Sequence, residues 1–206
     1  MKLKICGITE RCDIPKIVGL NPDFLGFIFH SASPRSVVSQ IETFPFNLIP
    51  NNINKVAVFV NESTTVIAKI TERYGFKYIQ LHGDEKPEQC KEIQKFASVI
   101  KAFGISNTLP SNLGYYQDYC NYFLFDTKGE KYGGNGLAFN HSVLSGYKLS
   151  IPFFLSGGIG PNDIGYLNQL NHPMLYAVDI NSKFETAPGI KDINKTKQFT
   201  KDLNRI

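Results

Sequence analysis

Residues 154–161 read Phe-Leu-Ser-Gly-Gly-Ile-Gly-Pro, a short apolar run that ends in two adjacent glycines. A short apolar run predicts a buried strand. The glycines that follow it allow backbone N–H groups to approach a bound anion closely. A tight turn between a strand and a helix has the same pattern, so this stretch alone leaves both interpretations open.

The next apolar run leads into Val-Asp-Ile-Asn-Ser-Lys-Phe-Glu-Thr-Ala-Pro-Gly-Ile-Lys-Asp at 178–192. This segment contains a serine in a loop and has room for a short helix whose N-terminus would face the same anion. Two adjacent loops of this kind after the last two strands match the phosphate site that recurs in (β/α)8 barrels. We therefore expect backbone groups around Gly157, Gly158, Asn181 and Ser182 to bind a phosphate, with the Ser182 hydroxyl as a further donor.

Along the chain as a whole, eight runs rich in β-branched and aromatic residues predict strands. They are 3–6, 24–29, 55–60, 78–82, 99–103, 122–126, 152–156 and 175–180. Most of the gaps hold apolar residues at helical spacing. The clearest helices are 64–73 after the cap Ser63, 86–96 with Pro87 in its first turn, and 193–203, and the weaker ones are 13–18, 37–43 and 163–170.

This alternation of strands and helices indicates parallel strands joined by crossover helices. No nucleotide-binding glycine fingerprint follows the first strand, which favours a closed barrel over a doubly wound open sheet. Asn and Gly interrupt 107–119 and 140–144, where we expect short or irregular helices. The prediction is a single (β/α)8 barrel domain over residues 1–206.

The composition is that of an ordinary globular protein, with 42% hydrophobic and 19% charged residues. The net charge of +4 comes from scattered Lys and Arg, which suits a small anionic ligand better than nucleic acid. No segment resembles a signal peptide or approaches the roughly 18 apolar residues of a membrane span, so we expect a cytoplasmic protein without a membrane partner, monomeric or homodimeric. The four cysteines, Cys6, Cys12, Cys90 and Cys120, form no C-x-x-C pair and are expected to be reduced, mostly buried thiols.

Chemically active residues follow the predicted strands, at the end of a barrel where active sites form. The most specific stretches are Lys-Ile-Cys-Gly-Ile-Thr at 4–9, Ser-Pro-Arg at 33–35, Gln-Leu-His-Gly at 80–83, Asp126, Gly-Gly-Asn-Gly at 133–136, Ser-Gly-Gly-Ile at 156–159, and 179–192. In this order and spacing, over nearly the whole chain, they resemble the phosphoribosylanthranilate isomerase family of tryptophan biosynthesis.

The resemblance implies a reaction, the Amadori rearrangement of N-(5-phosphoribosyl)anthranilate to 1-(2-carboxyphenylamino)-1-deoxyribulose 5-phosphate, with no metal or redox cofactor. It also implies that Cys6 is the general base and Asp126 the general acid. Both roles are demanding, because a thiol ordinarily titrates near roughly 8.5 and a carboxyl near roughly 3.9. Cys6 needs help from positive charge to ionise, and Asp126 must be kept protonated by burial or by nearby negative charge.

Three further residues are candidates for binding the substrate. The guanidinium of Arg35 can make two parallel hydrogen bonds to the anthranilate carboxylate, although a surface arginine that caps its loop is the alternative. His82 either contacts the substrate or is a core or strand-end histidine, and in neither case do we expect it to transfer a proton. Asp179 fixes a substrate hydroxyl or holds the neighbouring loops.

Two other functions fit parts of the pattern. The histidine-pathway aminoaldose isomerase performs the same rearrangement, but it is expected to carry an aspartate where this chain has Cys6. A non-catalytic phosphosugar-binding protein would not need both Cys6 and Asp126. The chain also departs from the family pattern at 139–141, which reads Phe-Asn-His, and at Lys183, where a glycine is common. The segment 133–136 is expected to be a mobile loop that helps to cover the substrate.

Overall fold

The computed structural model describes residues 1–9, 12–127 and 141–203. Its main strands are β1 Lys2–Ile5, β2 Phe24–Ile28, β3 Asn54–Phe59, β4 Tyr78–Leu81, β5 Ser98–Ile105, β6 Tyr122–Thr127, β7 Phe153–Leu155 and β8 Leu175–Ile180. Each strand pairs in parallel with the next, and β1 pairs with β8 to close a barrel. All eight predicted strands are confirmed to within one or two residues.

Helices connect most of the strands. The α-helices of the described residues are α1 Ile14–Val18, α2 Thr64–Tyr74, α3 Pro87–Gln94, α4 Ile164–Gln169 and α5 Ile193–Leu203. The start of α2 is capped as predicted, because the Ser63 hydroxyl accepts a hydrogen bond from the backbone N–H of Val66 at 3.4 Å. The same helix ends at Gly75, whose φ of 66° is a left-handed conformation that glycine adopts without strain.

Several connections between strands are shorter than a full helix, as predicted for a barrel with short or irregular helices. They contain the 3-10 helices Val38–Gln40, Phe46–Leu48, Leu113–Tyr116, His141–Gly146 and Ser182–Phe184. The helix predicted over 37–43 is only the first of these turns, because β-branched and Ser/Thr residues disfavour helix there and Pro45 follows closely.

The segment after β8 also forms an unpredicted hairpin of β9 Glu185–Ala187 and β10 Ile190–Lys191.

Aromatic side chains fill the amino-terminal end of the barrel interior. The ring of Phe24 at the start of β2 lies 5.3 Å from that of Tyr78 and 5.3 Å from that of Phe154. The rings of Tyr122 and Tyr176 lie 4.8 Å apart in the same cluster. A second, larger core packs the outer faces of the strands against the helices. With its amino-terminal end filled, the barrel carries its polar interior side chains at the opposite end.

A buried ion pair lies at the seam between β1 and β8. Lys4 and Asp179 are register partners on these strands. The Nζ of Lys4 lies 2.9 and 3.0 Å from the two carboxylate oxygens of Asp179. The two side chains are 0% and 5% exposed, so solvent screens this attraction little.

Gly26 of β2 leaves the space that the Cys6 side chain occupies. A Cβ at position 26 would lie 2.7 Å from the Cys6 Sγ and 3.2 Å from the Cys6 Cα. The first distance is shorter than real Cβ contacts and the second is tighter than most of them, so a larger residue would displace the first residue after β1. Gly165 in α4 is a matched contrast, because a Cβ there would meet nothing within 4 Å.

We expect Gly26→Ala to lower the free energy of unfolding by about 1–3 kcal/mol, the usual effect of overpacking. Gly165→Ala should raise it by about 0.5–1 kcal/mol, because alanine loses less backbone entropy in a helix. Urea denaturation of both variants measures these changes. Equal stability of Gly26→Ala and the unmodified protein would show that β1 can move away from β2 without penalty.

We expect Lys4→Met to destabilise the fold by about 3–5 kcal/mol, because it leaves the Asp179 carboxylate buried without its ammonium partner. The double variant Lys4→Met/Asp179→Leu should be more stable than Lys4→Met alone, since neither charge then remains. The measurement is again the free energy of unfolding in urea. A double variant as unstable as the sum of its two single variants would contradict this account of the seam.

Candidate active site

Polar and ionisable side chains gather at the carboxyl-terminal end of the barrel. Cys6 follows β1, His82 follows β4, and Asp126 and Asp179 lie near the ends of β6 and β8. Asp179 interacts electrostatically with Lys4, Asp126 and His82, and Cys6 with Lys4 and Asp179. The structure therefore brings the four predicted residues Cys6, His82, Asp126 and Asp179 to one end of the barrel.

The thiol of Cys6 is buried, at 5% exposure, and its electrostatic surroundings are mixed. Burial raises the pKa of Cys6, and the negative charge of Asp179 adds to that increase. The ammonium groups of Lys4 and Lys191 lower the pKa of Cys6, but not enough to cancel the increase. The expected positive charge is present, but burial and Asp179 outweigh it and favour the neutral thiol at neutral pH. All four cysteines are free and buried, as predicted.

Lys4 is one of the two lysines that act on the Cys6 thiol. Burial by itself lowers the pKa of Lys4, but Asp179 and Cys6 outweigh that effect and the pKa is raised. Burial also raises the pKa of Asp179, and Lys4 opposes that increase. The Lys4 ammonium lies within hydrogen-bond distance of both Asp179 oxygens, so each charge compensates the other and the pair is ionised. Lys4 was not selected as a site residue from the sequence, although a lysine inside an apolar strand is a signal of a buried ion pair.

His82 contacts Asp126 on one side and Gln80 on the other. The His82 Nε2 lies 3.3 Å from Oδ2 of Asp126, and its Nδ1 lies 2.7 Å from Nε2 of Gln80. With the Gln80 amide nitrogen donating, Nδ1 is the acceptor and the ring proton is on Nε2, the side that faces Asp126. The Gln80 side chain is 1% exposed, and its Oε1 has no hydrogen-bond partner among the described residues.

A buried ion pair between Glu85 and Lys101 holds the loop after β4, which carries His82. The carboxylate of Glu85 accepts hydrogen bonds from the backbone N–H of Asn61 at 2.8 Å and of Gly83 at 2.9 Å. The Nζ of Lys101 lies 3.0 Å from Glu85 and donates to the carbonyl of Gly83 at 2.8 Å. Glu85 and Lys101 were missed in the sequence, although Lys101, like Lys4, interrupts an apolar strand.

Arg35 lies in the loop after β2 and is paired with Glu185 of the hairpin after β8. Its Nε and Nη2 lie 3.0 and 2.7 Å from Oε2 of Glu185. Lys191 contacts the other carboxylate oxygen at 2.8 Å and reaches Oδ1 of Asn181 at 2.8 Å. Arg35 is thus neither a solvated surface side chain nor a simple loop cap. Its partner Glu185 belongs to the stretch 179–192 that carries the family resemblance, but the sequence assigns it no role.

The two predicted phosphate loops follow neighbouring strands. Gly157 and Gly158 after β7 have φ values of 86° and 71°, a conformation that residues with side chains rarely adopt. Asn181 and Ser182 follow β8, which pairs with β7, and the 3-10 helix Ser182–Phe184 begins there. The predicted short helix after β8 is confirmed as this single turn.

Some predictions fall on residues that the structure does not describe, namely the glycine-rich segment 133–136 and positions 139 and 140. Lys183, the other departure from the family pattern, is exposed. Within the described ranges no helix has the length and apolar character needed to cross a membrane. The same residues contain no group of three or more His, Cys, Asp or Glu side chains that could hold a metal ion.

Comparison with known proteins agrees with the geometry. Residues 3–202 match the family model described as N-(5'phosphoribosyl)anthranilate (PRA) isomerase. The N-(5'-phosphoribosyl)anthranilate isomerase of Parabacteroides distasonis is 40% identical over 209 residues, which cover 98% of this chain and 93% of that protein.

Two solved structures extend the likeness to the fold. Phosphoribosyl anthranilate isomerase from Thermotoga maritima is 31% identical, with a TM-score of 0.85 and full coverage of both chains. A phosphoribosyl anthranilate isomerase in complex with reduced 1-(o-carboxyphenylamino)-1-deoxyribulose 5-phosphate is 29% identical, with a TM-score of 0.82 and full coverage of both chains. By sequence and by fold, the chain belongs to the N-(5'-phosphoribosyl)anthranilate isomerase family.

Proposed function

We propose that this protein catalyses the Amadori rearrangement of N-(5-phosphoribosyl)anthranilate, with Cys6 as general base and Asp126 as general acid. The observation that carries the proposal is the position of a thiol and a carboxyl at the same end of the barrel. Asp179 interacts with both of them. Acid and base must flank the same few sugar atoms in this reaction, and the ends of different barrel strands meet that requirement.

In the first step Asp126 protonates the furanose ring oxygen, the C1–O bond breaks, and an iminium forms. Asp126 gains negative charge as it loses its proton. The Nε2 of His82, 3.3 Å from its Oδ2, carries the ring proton and faces that growing charge. This interaction is stronger in the transition state than before it, so it favours turnover rather than binding.

In the second step the sulfur of Cys6 removes the proton from C2 of the sugar. The electrons of the C2–H bond form the C1–C2 double bond, and the iminium nitrogen regains its electron pair. The enolamine then tautomerises to the ketone. The nearby ammonium groups of Lys4 and Lys191 favour the thiolate form that this step needs.

The two ends of the substrate are bound by different loops. We assign the phosphate to backbone groups around Gly157, Gly158, Asn181 and Ser182, because glycine-rich backbone after β7 and β8 suits an anion. Arg35 is assigned to the anthranilate carboxylate. Asp179 is assigned to a substrate hydroxyl, in addition to its pairing with Lys4. The relative solved with reduced 1-(o-carboxyphenylamino)-1-deoxyribulose 5-phosphate supports a phosphorylated substrate of this class.

We expect Cys6→Ala and Asp126→Asn each to lower kcat by at least about a hundredfold, the usual contribution of a general base or acid. The measurement is the loss of fluorescence of substrate made from anthranilate and phosphoribosyl pyrophosphate by a transferase. Cys90→Ala, on α3, and Asp118→Asn, at the surface, are matched controls that should retain turnover. Turnover by the unmodified protein no faster than spontaneous breakdown would refute the function. Full activity in either site variant would refute its assigned role.

The pH profile tests the base separately, because the acidic limb of kcat/KM reports ionisation in the free enzyme. The pKa of Cys6 is raised, so activity should increase as the pH rises through the ionisation of the thiol. Lys4→Met removes a charge that lowers this pKa, so it should move the acidic limb to higher pH. Asp179→Asn removes a charge that raises it and should move the limb to lower pH. Identical limbs in the two variants would argue against Cys6 as the titrating base.

A further inference from the structure

Glu185 is the centre of a buried cluster of charges outside the thiol and carboxyl described above. Its carboxylate contacts Arg35 through Nε and Nη2, Lys191 at 2.8 Å, and the backbone N–H of Gly189 at 3.3 Å. The side chains of Glu185, Lys191 and Arg35 are 3%, 0% and 14% exposed. Burial opposes ionisation of Glu185, but the two cations outweigh it and lower its pKa. The cluster is therefore one carboxylate held between two cations, largely shielded from solvent.

This cluster joins the two loops that we assign to opposite ends of the substrate. Arg35 belongs to the loop after β2, and Lys191 binds Asn181 of the loop after β8. The two loops meet over Gly7, which has a φ of 73° and follows Cys6 directly. A Cβ there would lie 2.8 Å from Cδ of Arg35 and 2.7 Å from Oδ1 of Asn181. The arginine stem and the asparagine amide thus touch the same turn beside the thiol.

The geometry of the arginine contact suggests what the cluster does. A guanidinium has five N–H donors in a fixed planar arrangement. Glu185 engages the side formed by Nε and Nη2. The donors that remain are the two of Nη1 and the second of Nη2, which form the end of the guanidinium. Two donors side by side on that end match the two oxygens of a planar carboxylate.

We propose that Glu185 is a positioning residue that sets specificity for the substrate's aromatic carboxylate by holding Arg35 from the side and directing the end of its guanidinium into the site. Through Lys191, the same carboxylate fixes Asn181 of the phosphate loop. The inference rests on the proposed function and adds a determinant of substrate choice to it. Without Glu185, Arg35 keeps its charge but loses its orientation.

The test compares two substrates that differ only in the carboxylate, the phosphoribosyl adducts of anthranilate and of aniline. The measured quantity is the ratio of their kcat/KM values, because a merely structural defect lowers both values together and leaves the ratio unchanged. We expect Arg35→Met to abolish most of the preference for the carboxylated substrate. Glu185→Gln should reduce the ratio by about tenfold or more, as expected when a charge-assisted contact loses its geometry.

Three further variants complete the test. Glu185→Asp preserves the charge but shortens the side chain, so it should also reduce the ratio. It takes the place of Glu185→Gln in the test if that variant fails to fold. Glu42→Gln is the matched control, because Glu42 pairs with Arg73 at the surface, where both side chains are 62% exposed. This control should leave the ratio unchanged. Inorganic phosphate, used as a competitive inhibitor, should bind several-fold more weakly to Lys191→Met and Glu185→Gln than to Glu42→Gln.

The outcomes separate this inference from the function on which it rests. A ratio that falls in Arg35→Met but not in Glu185→Gln or Glu185→Asp would overturn the role of Glu185 and leave the isomerase intact. A ratio unchanged in Arg35→Met would overturn the carboxylate assignment, and the inference with it. No turnover of the anthranilate adduct by the unmodified protein would refute the proposed function itself.

Discussion

The ion pair between Lys4 and Asp179 links the seam that closes the barrel to the electrostatics of its open end. It joins the first and last strands of the sheet, with Nζ 2.9 Å from a carboxylate oxygen. The same two side chains act in opposite directions on Cys6, since Lys4 lowers its pKa and Asp179 raises it. A charge change at either position would therefore alter the fold and the thiol together.

At the end of β1, burial of the Cys6 thiol opposes the ionisation that its proposed role as a base requires. Gly26 leaves space for the Cys6 side chain, and the resulting burial holds the thiol neutral. The ammonium groups of Lys4 and Lys191 reduce that effect without removing it, so the neutral thiol is favoured over the thiolate at neutral pH. Under our proposal the formation of an iminium, which acidifies the C2 proton, lowers the basicity that the sulfur needs. The thiol must still lose its own proton to water first, so the thiolate that accepts the C2 proton forms only as the pH rises through the raised pKa of Cys6.

The sequence predicts the local features well and the long-range pairings poorly. The strands were recognisable because each is a short apolar run, and Cys6, Asp126 and Asp179 were recognisable because they end such runs. The pairing of Arg35 with Glu185 spans 150 positions and exists only after β1 and β8 have closed the barrel. No local sequence pattern therefore predicts it. The Glu185–Lys191 hairpin and the Gln80 contact that orients His82 are local, but strands of two and three residues are too short to show an alternating pattern, and a side-chain contact is not visible in residue spacing. The raised pKa of Cys6 depends on how far burial and Asp179 outweigh Lys4 and Lys191, a balance that residue spacing does not reveal.

The central claim is that the sulfur of Cys6 removes the C2 proton at the mouth of the barrel. The most direct measurement follows the release of deuterium from substrate labelled at the ribosyl C2, in the unmodified protein and in Cys6→Ser. The account predicts that the unmodified protein releases the label to water with a primary isotope effect on the chemical step. It predicts no release above the uncatalysed rate in Cys6→Ser. Release of the label by Cys6→Ser at the rate of the unmodified protein would contradict it.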